Sequence, residues 1–334
     1  LIARRGVNTL VLVHRTELLQ QWKERLQAFL GVDKTKIGTI GGGKAKPTGI
    51  IDIAVMQSLS RQGEVSEQVK NYGQIIVDEC HHLSAISFET LLKAAAAKYV
   101  VGLTATPIRR DGKQPIIFMQ CGAIRHTASR PESAPADLAV MPQWLSRPIV
   151  MPEGTGIQDV FLQVCSDTER TAKVVAEVGG AFDQGRKILV LTERTDHLSA
   201  IEEQLIGRVE NLFTLHGRMS KKQRAVLIGE LEALLPDAPR VILATGQLVG
   251  EGFDHPALDT LVLAMPVSWK GTVQQYAGRL HREHASKADV RIIDFIDAGH
   301  PALLRMWSKR QAGYKAMGYR LADSSGSMEL LENG

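Results

Sequence analysis

Residues 74–82 read Gln74-Ile75-Ile76-Val77-Asp78-Glu79-Cys80-His81-His82. A continuous apolar run closed by two carboxylates predicts a buried strand of a parallel sheet. Ligands of such sheets sit beyond the carboxyl ends of the strands, where Asp78 and Glu79 would project. One carboxylate suits a hard cation such as Mg²⁺, and its neighbour can orient a water for in-line attack on a phosphate. The plain alternative is an acidic strand end that simply meets solvent. Cys80, His81 and His82 invite a zinc reading, but three consecutive side chains cannot converge on one tetrahedral ion, and no second Cys/His cluster is nearby.

Outward from this strand the same pattern recurs. Leu10–Val13, Ile51–Val55 and Tyr99–Leu103 are short apolar runs in the first half, and Lys187–Leu191, Leu212–Leu215, Val241–Ala244, Thr260–Ala264 and Val290–Asp294 follow in the second. Helix-period stretches lie between them, as in parallel sheets with crossover helices. Leu18, Leu19, Trp22, Leu26 and Phe29 fall at helical spacing and stop at Gly31. Ser220 and Gln223 have capping-box spacing ahead of Val226, Leu227 and Leu231. The fold class is therefore α/β in both halves.

The 334 residues fit about two domains. With 44% hydrophobic and 23% charged residues the chain is globular, which excludes disorder, collagen-like repeats and a coiled-coil rod. The expected division is a first domain over 1–121, a connection over 122–165, a second domain over 166–320 and a fraying tail over 321–334. Pro131, Pro135, Pro142, Pro148 and Pro152 break the connection too often for a long helix or central strand. No membrane span or secretory signal is visible, and three widely spaced cysteines build no disulfide framework, so a cytoplasmic, reducing location is expected. A net charge of +4 permits a nucleic-acid partner without demanding one. Because the first residue is Leu1, the chain is expected to begin inside a longer protein with further domains upstream.

Three more stretches carry chemistry. Val101-Gly102-Leu103-Thr104-Ala105-Thr106-Pro107 puts two hydroxyls at a strand end, able to bridge carboxylates to a loop. Gln275-Tyr276-Ala277-Gly278-Arg279-Leu280-His281-Arg282 spaces two arginines three apart, which predicts one helical face and a guanidinium clamp for a phosphate. Ala244-Thr245-Gly246, continuing to Gly250-Glu251-Gly252-Phe253-Asp254, follows a strand with glycines that let a ligand approach, and Asp254 is available for a ribose hydroxyl.

In this order and spacing the set resembles the motor core of superfamily 2 helicases. Asp78 to His81 is similar to the DExH box (motif II), Thr104 to Pro107 to motif III, and Val11-Leu12-Val13-His14-Arg15 to motif Ia. Ala244 through Asp254 resembles motif V, and Gln275 through Arg282 the QxxGRxxR of motif VI. The context of Gly102 to Gly112 is most similar to the XPB-like DEAD/DEAH-box branch, which includes repair helicases and phage-defence or restriction motors. The resemblance implies two tandem RecA-like domains with parallel sheets, ATP and Mg²⁺ as cofactors, and nucleic acid, expected to be DNA, as partner. Asp78 would organise Mg²⁺ and Glu79 would activate water, with Arg279 and Arg282 as arginine fingers. His81, Thr104, Thr106 and Gln275 would couple hydrolysis to nucleic-acid grip, and Gly250, Gly252 and Asp254 would contact the nucleotide. His14, Arg15, Gln57, Ser58, Thr192, Arg194, His216, Gly217, Thr245 and Gly246 would line the strand path, reading phosphates rather than bases.

A Walker A loop, G-x-x-x-x-G-K-[ST], should precede motif Ia, yet only about ten residues stand before Leu10. The stretch Gly38-Thr39-Ile40-Gly41-Gly42-Gly43-Lys44-Ala45 mimics its spacing but ends in Ala45 and runs into Pro47 rather than a helix. The first domain is therefore expected to be incomplete at its N-terminus. The leading reading is an ATP-dependent helicase or translocase whose present chain is inactive alone. The alternative is a nucleic-acid-binding pseudo-helicase, although retained acids and arginines argue against it. A pair of dinucleotide-binding domains lacks any G-x-G-x-x-G between strand and helix.

Overall fold

The computed structural model describes the chain except for residues 62–63, 81–84, 105–113, 129–134, 136, 146–149, 153, 247–254, 268–269, 282–283, 285–286, 323–327 and 330–334. It separates into two compact units, Leu1–Ser129 and Arg130–Gly334.

The first unit runs α1 (Ile2–Arg5), β1 (Thr9–Val13), α2 (Glu17–Leu30), β2 (Ile37–Gly41), β3 (Lys44–Lys46), β4 (Ile51–Val55), β5 (Ser60–Arg61), β6 (Glu64–Val65), β7 (Gln74–Val77), α3 (Ala85–Ala94), β8 (Tyr99–Gly102) and α4 (Gln114–Cys121). Its main sheet has the order β3-β2-β4-β1-β7-β8. All neighbours are parallel except the β2–β3 hairpin. Strand alternation sends Leu10 and Leu12 to one face with Ile75, Val77, Leu91 and Ile117, and Val11 and Val13 to the other with Ile53, Leu18, Leu19 and Leu26. Burial of both faces explains why these strands read as unbroken apolar runs. Helix α2 ends where the left-handed Gly31 closes it, but Phe29, counted on its apolar face, is 83% exposed.

The Gly38–Ala45 stretch is the hairpin, not a phosphate loop. Gly41, Gly42 and Gly43 turn the chain at φ 147°, 61° and 79°, and Lys44 starts an antiparallel strand instead of a helix. Such backbone angles are open to glycine at little cost, and three consecutive glycines disguise the hairpin as a loop.

The second unit contains β9 (Asp137–Trp144), α5 (Ile157–Ser166), α6 (Thr168–Asp183), β10 (Lys187–Thr192), α7 (Thr195–Leu205), β11 (Leu212–Leu215), α8 (Lys221–Ala233), β12 (Arg240–Thr245), β13 (Thr260–Leu263), α9 (Lys270–Gly278), β14 (Asp289–Ile296), α10 (Pro301–Ala316), β15 (Arg320–Ala322) and β16 (Met328–Glu329). The sheet order is β11-β12-β10-β13-β14-β9-β15-β16, parallel throughout except for β16. One face packs Leu189, Leu191, Ile242 and Leu263 against Leu231, Tyr276 and Trp307. The other packs Val190, Leu243 and Val262 against Val174, Val178, Leu198 and Ile201. The capping box of Ser220 and Gln223 opens α8.

Two local expectations fail here. Asp137–Trp144, whose stretch of prolines argues against a central strand, lies between β14 and β15. Among the described residues β15 pairs Ala139 and Val140 alone, so Pro142 has no described partner on that side of β9, where a missing N–H is tolerated. Helix α5 begins after those prolines and buries Val160 and Val164 against Met265 and Leu303. Beyond it, Leu321 and Ala322, expected to fray, pair with Met328 and Glu329. Leu321 also packs on the main core, which gives this stretch an apolar anchor.

Candidate functional site

Parallel register brings the candidate residues of the first unit to one sheet edge. Val13 is level with Val55, Leu12 with Val77, and Val77 with Gly102. Hence His14, Gln57 and Ser58, Asp78 and Glu79, and Thr104 all follow the carboxyl ends of adjacent strands, where an α/β sheet binds its ligands. The backbone knits these ends together: Asp78 N–H donates to Leu12 O at 2.9 Å, Leu103 N–H to Val77 O at 2.8 Å and Cys80 N–H to Leu103 O at 3.0 Å.

Asp78 is half-buried, and the indole N–H of Trp22 on α2 donates to its Oδ2 at 2.7 Å. Burial raises the pKa of the carboxyl above the ordinary range, and the Trp22 hydrogen bond opposes that rise by stabilising the charged form. In the sequence Trp22 is only an apolar helix position; its indole is a donor alone, and nothing in the spacing says which strand end it meets. The buried Asp52 makes an instructive contrast. Its two oxygens accept from Thr48 N–H and Gly49 N–H, both at 2.7 Å, and from the Tyr72 hydroxyl at 2.6 Å, so its bonding capacity serves the fold.

Glu79 is the only non-glycine residue at positive φ (46°) among the described residues. The left-handed region is costly for a side chain with a Cβ, and such outliers gather at functional sites. A Mg²⁺ ion, which the family resemblance implies, fits this edge in kind: it prefers oxygen donors and needs only one or two protein carboxylates beside phosphate and water. Asp78 supplies such an oxygen donor, oriented by Trp22.

Gln57 and Ser58 are exposed in a turn after β4 and line a cavity of about 700 Å³ together with Gly43, Lys44 and Ser66. His14 and Arg15 are half-buried at the start of the loop into α2. Thr104 is half-buried, while His81 and Thr106 lie outside the described residues.

In the second unit the register sets Thr192 level with Thr245, and Leu215 level with Ala244. Thr192, Arg194, His216, Gly217, Thr245 and Gly246 therefore also share one carboxyl edge. Thr192 is buried, with Oγ1 3.0 Å from His197 Nδ1. Burial, with the Arg170 charge adding to it, pushes the pKa of His197 down to about 3, which keeps the imidazole neutral at physiological pH. Gly246 packs so tightly that an added Cβ would stand 2.3 Å from the Tyr276 hydroxyl of α9. Tyr276 in turn reaches Glu193 Oε1 at 3.5 Å.

Arg279 does not lie on the helix that the spacing of the arginines predicts. Helix α9 ends at Gly278, and Arg279 sits in the turn beyond it, its N–H bonded to Tyr276 O at 3.2 Å. Glycine is a poor helix former, and here it closes the helix one residue before the arginine. Arg282, Gly250, Gly252 and Asp254 lie outside the described residues, as does the side chain of Gln275. Among the described residues no helix is long and apolar enough to cross a membrane.

Comparison with known proteins supports the same assignment. The family model "Type III restriction enzyme, res subunit" matches residues 2–109, and "Helicase conserved C-terminal domain" matches residues 169–284. The chain is similar to "Probable helicase D10" of Escherichia phage T5, at 26% identity over 320 residues, which cover 94% of this chain and 68% of the phage protein. It is also similar to "DNA 3'-5' translocase XPB2" of Sulfurisphaera tokodaii, at 35% identity over 128 residues, which cover 38% of this chain and 28% of the archaeal one. Among solved structures, S. cerevisiae Dbp5 bound to RNA and ADP BeF3 aligns at a TM-score of 0.61 and 13% identity, covering 94% of this chain and 77% of its own. At that identity the likeness is one of fold, that of tandem RecA-like domains with parallel sheets. With both halves of the motor matched in order, the chain belongs to the superfamily 2 helicases as a DExH-type core related to the XPB branch.

Proposed function

We propose that this chain is the motor of an ATP-dependent nucleic-acid helicase or translocase, acting on DNA. The observation that carries the reading is the position of Asp78 and Glu79 at the carboxyl end of β7, one held by Trp22 and the other in a left-handed backbone conformation. Trp22 holds Oδ2 of Asp78, and this carboxylate would serve as the oxygen ligand of Mg²⁺. When bound, Mg²⁺ neutralises charge on the β- and γ-phosphates. Glu79 accepts the proton of the attacking water and aims it in line with the leaving oxygen. Arg279 and Arg282, from the second unit, stabilise the charge that spreads over the transferring phosphoryl group, and Asp254 holds the nucleotide. The DNA assignment follows the archaeal relative, whose name is that of a DNA translocase.

His14, Arg15, Gln57 and Ser58 in the first unit, with Thr192, Arg194, His216, Gly217, Thr245 and Gly246 in the second, hold the strand by its phosphates. Binding by such contacts releases counterions and ignores base identity. A titration of the 334-residue chain against two unrelated single-stranded oligonucleotides should give a log–log salt slope steeper than about −2, the value for three phosphate contacts, and nearly equal affinities for the two sequences. A shallow slope with strong sequence preference would remove the proposed strand path.

A second reading has one observation behind it. The 334 residues contain no G-x-x-x-x-G-K-[ST] loop, so a strand-binding protein without turnover would also explain the interface. It leaves the paired acids and the arginines without a task.

A further inference from the structure

Cys80 follows the two acids of the DExH stretch, and Cys121 ends α4. Both approach the same point on β8. A Cβ built on Gly102 would lie 2.9 Å from Cys121 Sγ and 3.1 Å from Cys80 Sγ, so the absence of a side chain at Gly102 is what allows the two thiols to meet. Both sulfurs border the one small space where that side chain would stand. Cys80 is 1% exposed, whereas Cys121 is half-buried and open to a small oxidant.

We propose that Cys80 and Cys121 are an oxidisable thiol pair, which a peroxide converts into a reversible disulfide that clamps the segment after β7 to the end of α4. The roles of the two sulfurs differ. Cys121, the more exposed of the two, meets the peroxide and supplies the attacking thiolate, and the buried Cys80 is the resolving thiol. The Cys121 thiolate attacks one oxygen of the peroxide, the O–O bond breaks, and the products are a sulfenic acid and hydroxide. Cys80 sulfur then attacks the sulfenic sulfur; the S–S bond forms, the S–O bond breaks, and the hydroxyl leaves with the Cys80 proton as water. The two thiols lose two electrons, and these reduce the peroxide to water. Reduction by an ordinary dithiol reverses the bond.

Cys165 serves as an internal reference. Its sulfur lies 3.2 Å from Met265 Sδ, and burial pushes its pKa up to about 11, so it is a poor nucleophile. The existence of the pair does not depend on the proposed activity. Its consequence does: because Glu79 precedes Cys80, a crosslink there would restrain the peptide that carries the water-activating carboxylate.

The test is peroxide treatment of the reduced 334-residue chain, followed by alkylation, digestion and mass spectrometry. A Cys80–Cys121 linked peptide should accumulate and disappear on reduction, and Cys121 should be lost roughly tenfold faster than Cys165, whose thiol burial keeps protonated. In Cys80→Ser, which removes the resolving thiol, Cys121 should stop at the sulfenic acid and be trapped by a dimedone probe. Equal loss of Cys165, linkage mainly between molecules, or no linked peptide from a chain that keeps its circular dichroism would overturn the proposal. Should the variant fail to fold, the linkage map of the unaltered chain decides alone.

Discussion

Glu79→Gln lowers kcat for ATP by about 10²–10⁴, the range of a general base, in a version of the chain extended at its N-terminus by a phosphate-binding loop. Nucleotide affinity should change little, because the amide that replaces the Glu79 carboxylate is isosteric with it and Asp78, held by Trp22, still presents its oxygen. The effect separates two roles that adjacent carboxylates could exchange. A metal ligand at position 79 would cost ground-state binding, whereas a base costs turnover alone. Steady-state ATPase together with a fluorescent-nucleotide titration measures both, and loss of affinity at unchanged kcat would exchange the assignments of Asp78 and Glu79.

The second large effect is expected at Arg282. An arginine finger stabilises charge that exists only as the phosphoryl group transfers, and is worth about 10³–10⁵ in turnover. Arg282→Ala in the same extended chain should lower kcat by at least about a hundredfold, a floor beneath that range, with nucleotide affinity nearly kept. A pseudo-helicase has no turnover to lose. If the substitution weakened nucleotide binding and left kcat alone, Arg282 would be a ground-state clamp rather than a finger.

Strands buried on both faces announce themselves in the sequence: the nine runs that read as strands are all strands, because apolar β-branched residues fill both layers around each sheet. Elements without that signal escape notice. Strand β3 is exposed and begins with Lys44, β9 is disguised by Pro142, and β16 lies in a polar tail. Arg279 falls off the expected helix for a local reason, a glycine at position 278 that ends α9. Site residues follow the same division. Asp78 and Glu79 are legible because a strand end fixes where they point. Trp22 and the approach of Cys80 and Cys121 to Gly102 depend on residues far apart in the chain, which no spacing rule encodes.

The central claim is that nucleic-acid binding and ATP hydrolysis are coupled in this motor. The most direct measurement is the ATPase rate of the N-terminally extended chain with and without single-stranded DNA, beside that of the 334-residue chain. The extended chain should hydrolyse ATP faster with DNA present, and the 334-residue chain, lacking the phosphate cradle, should show little turnover in either condition. Turnover that ignores DNA, or robust turnover by the 334-residue chain, would contradict the account.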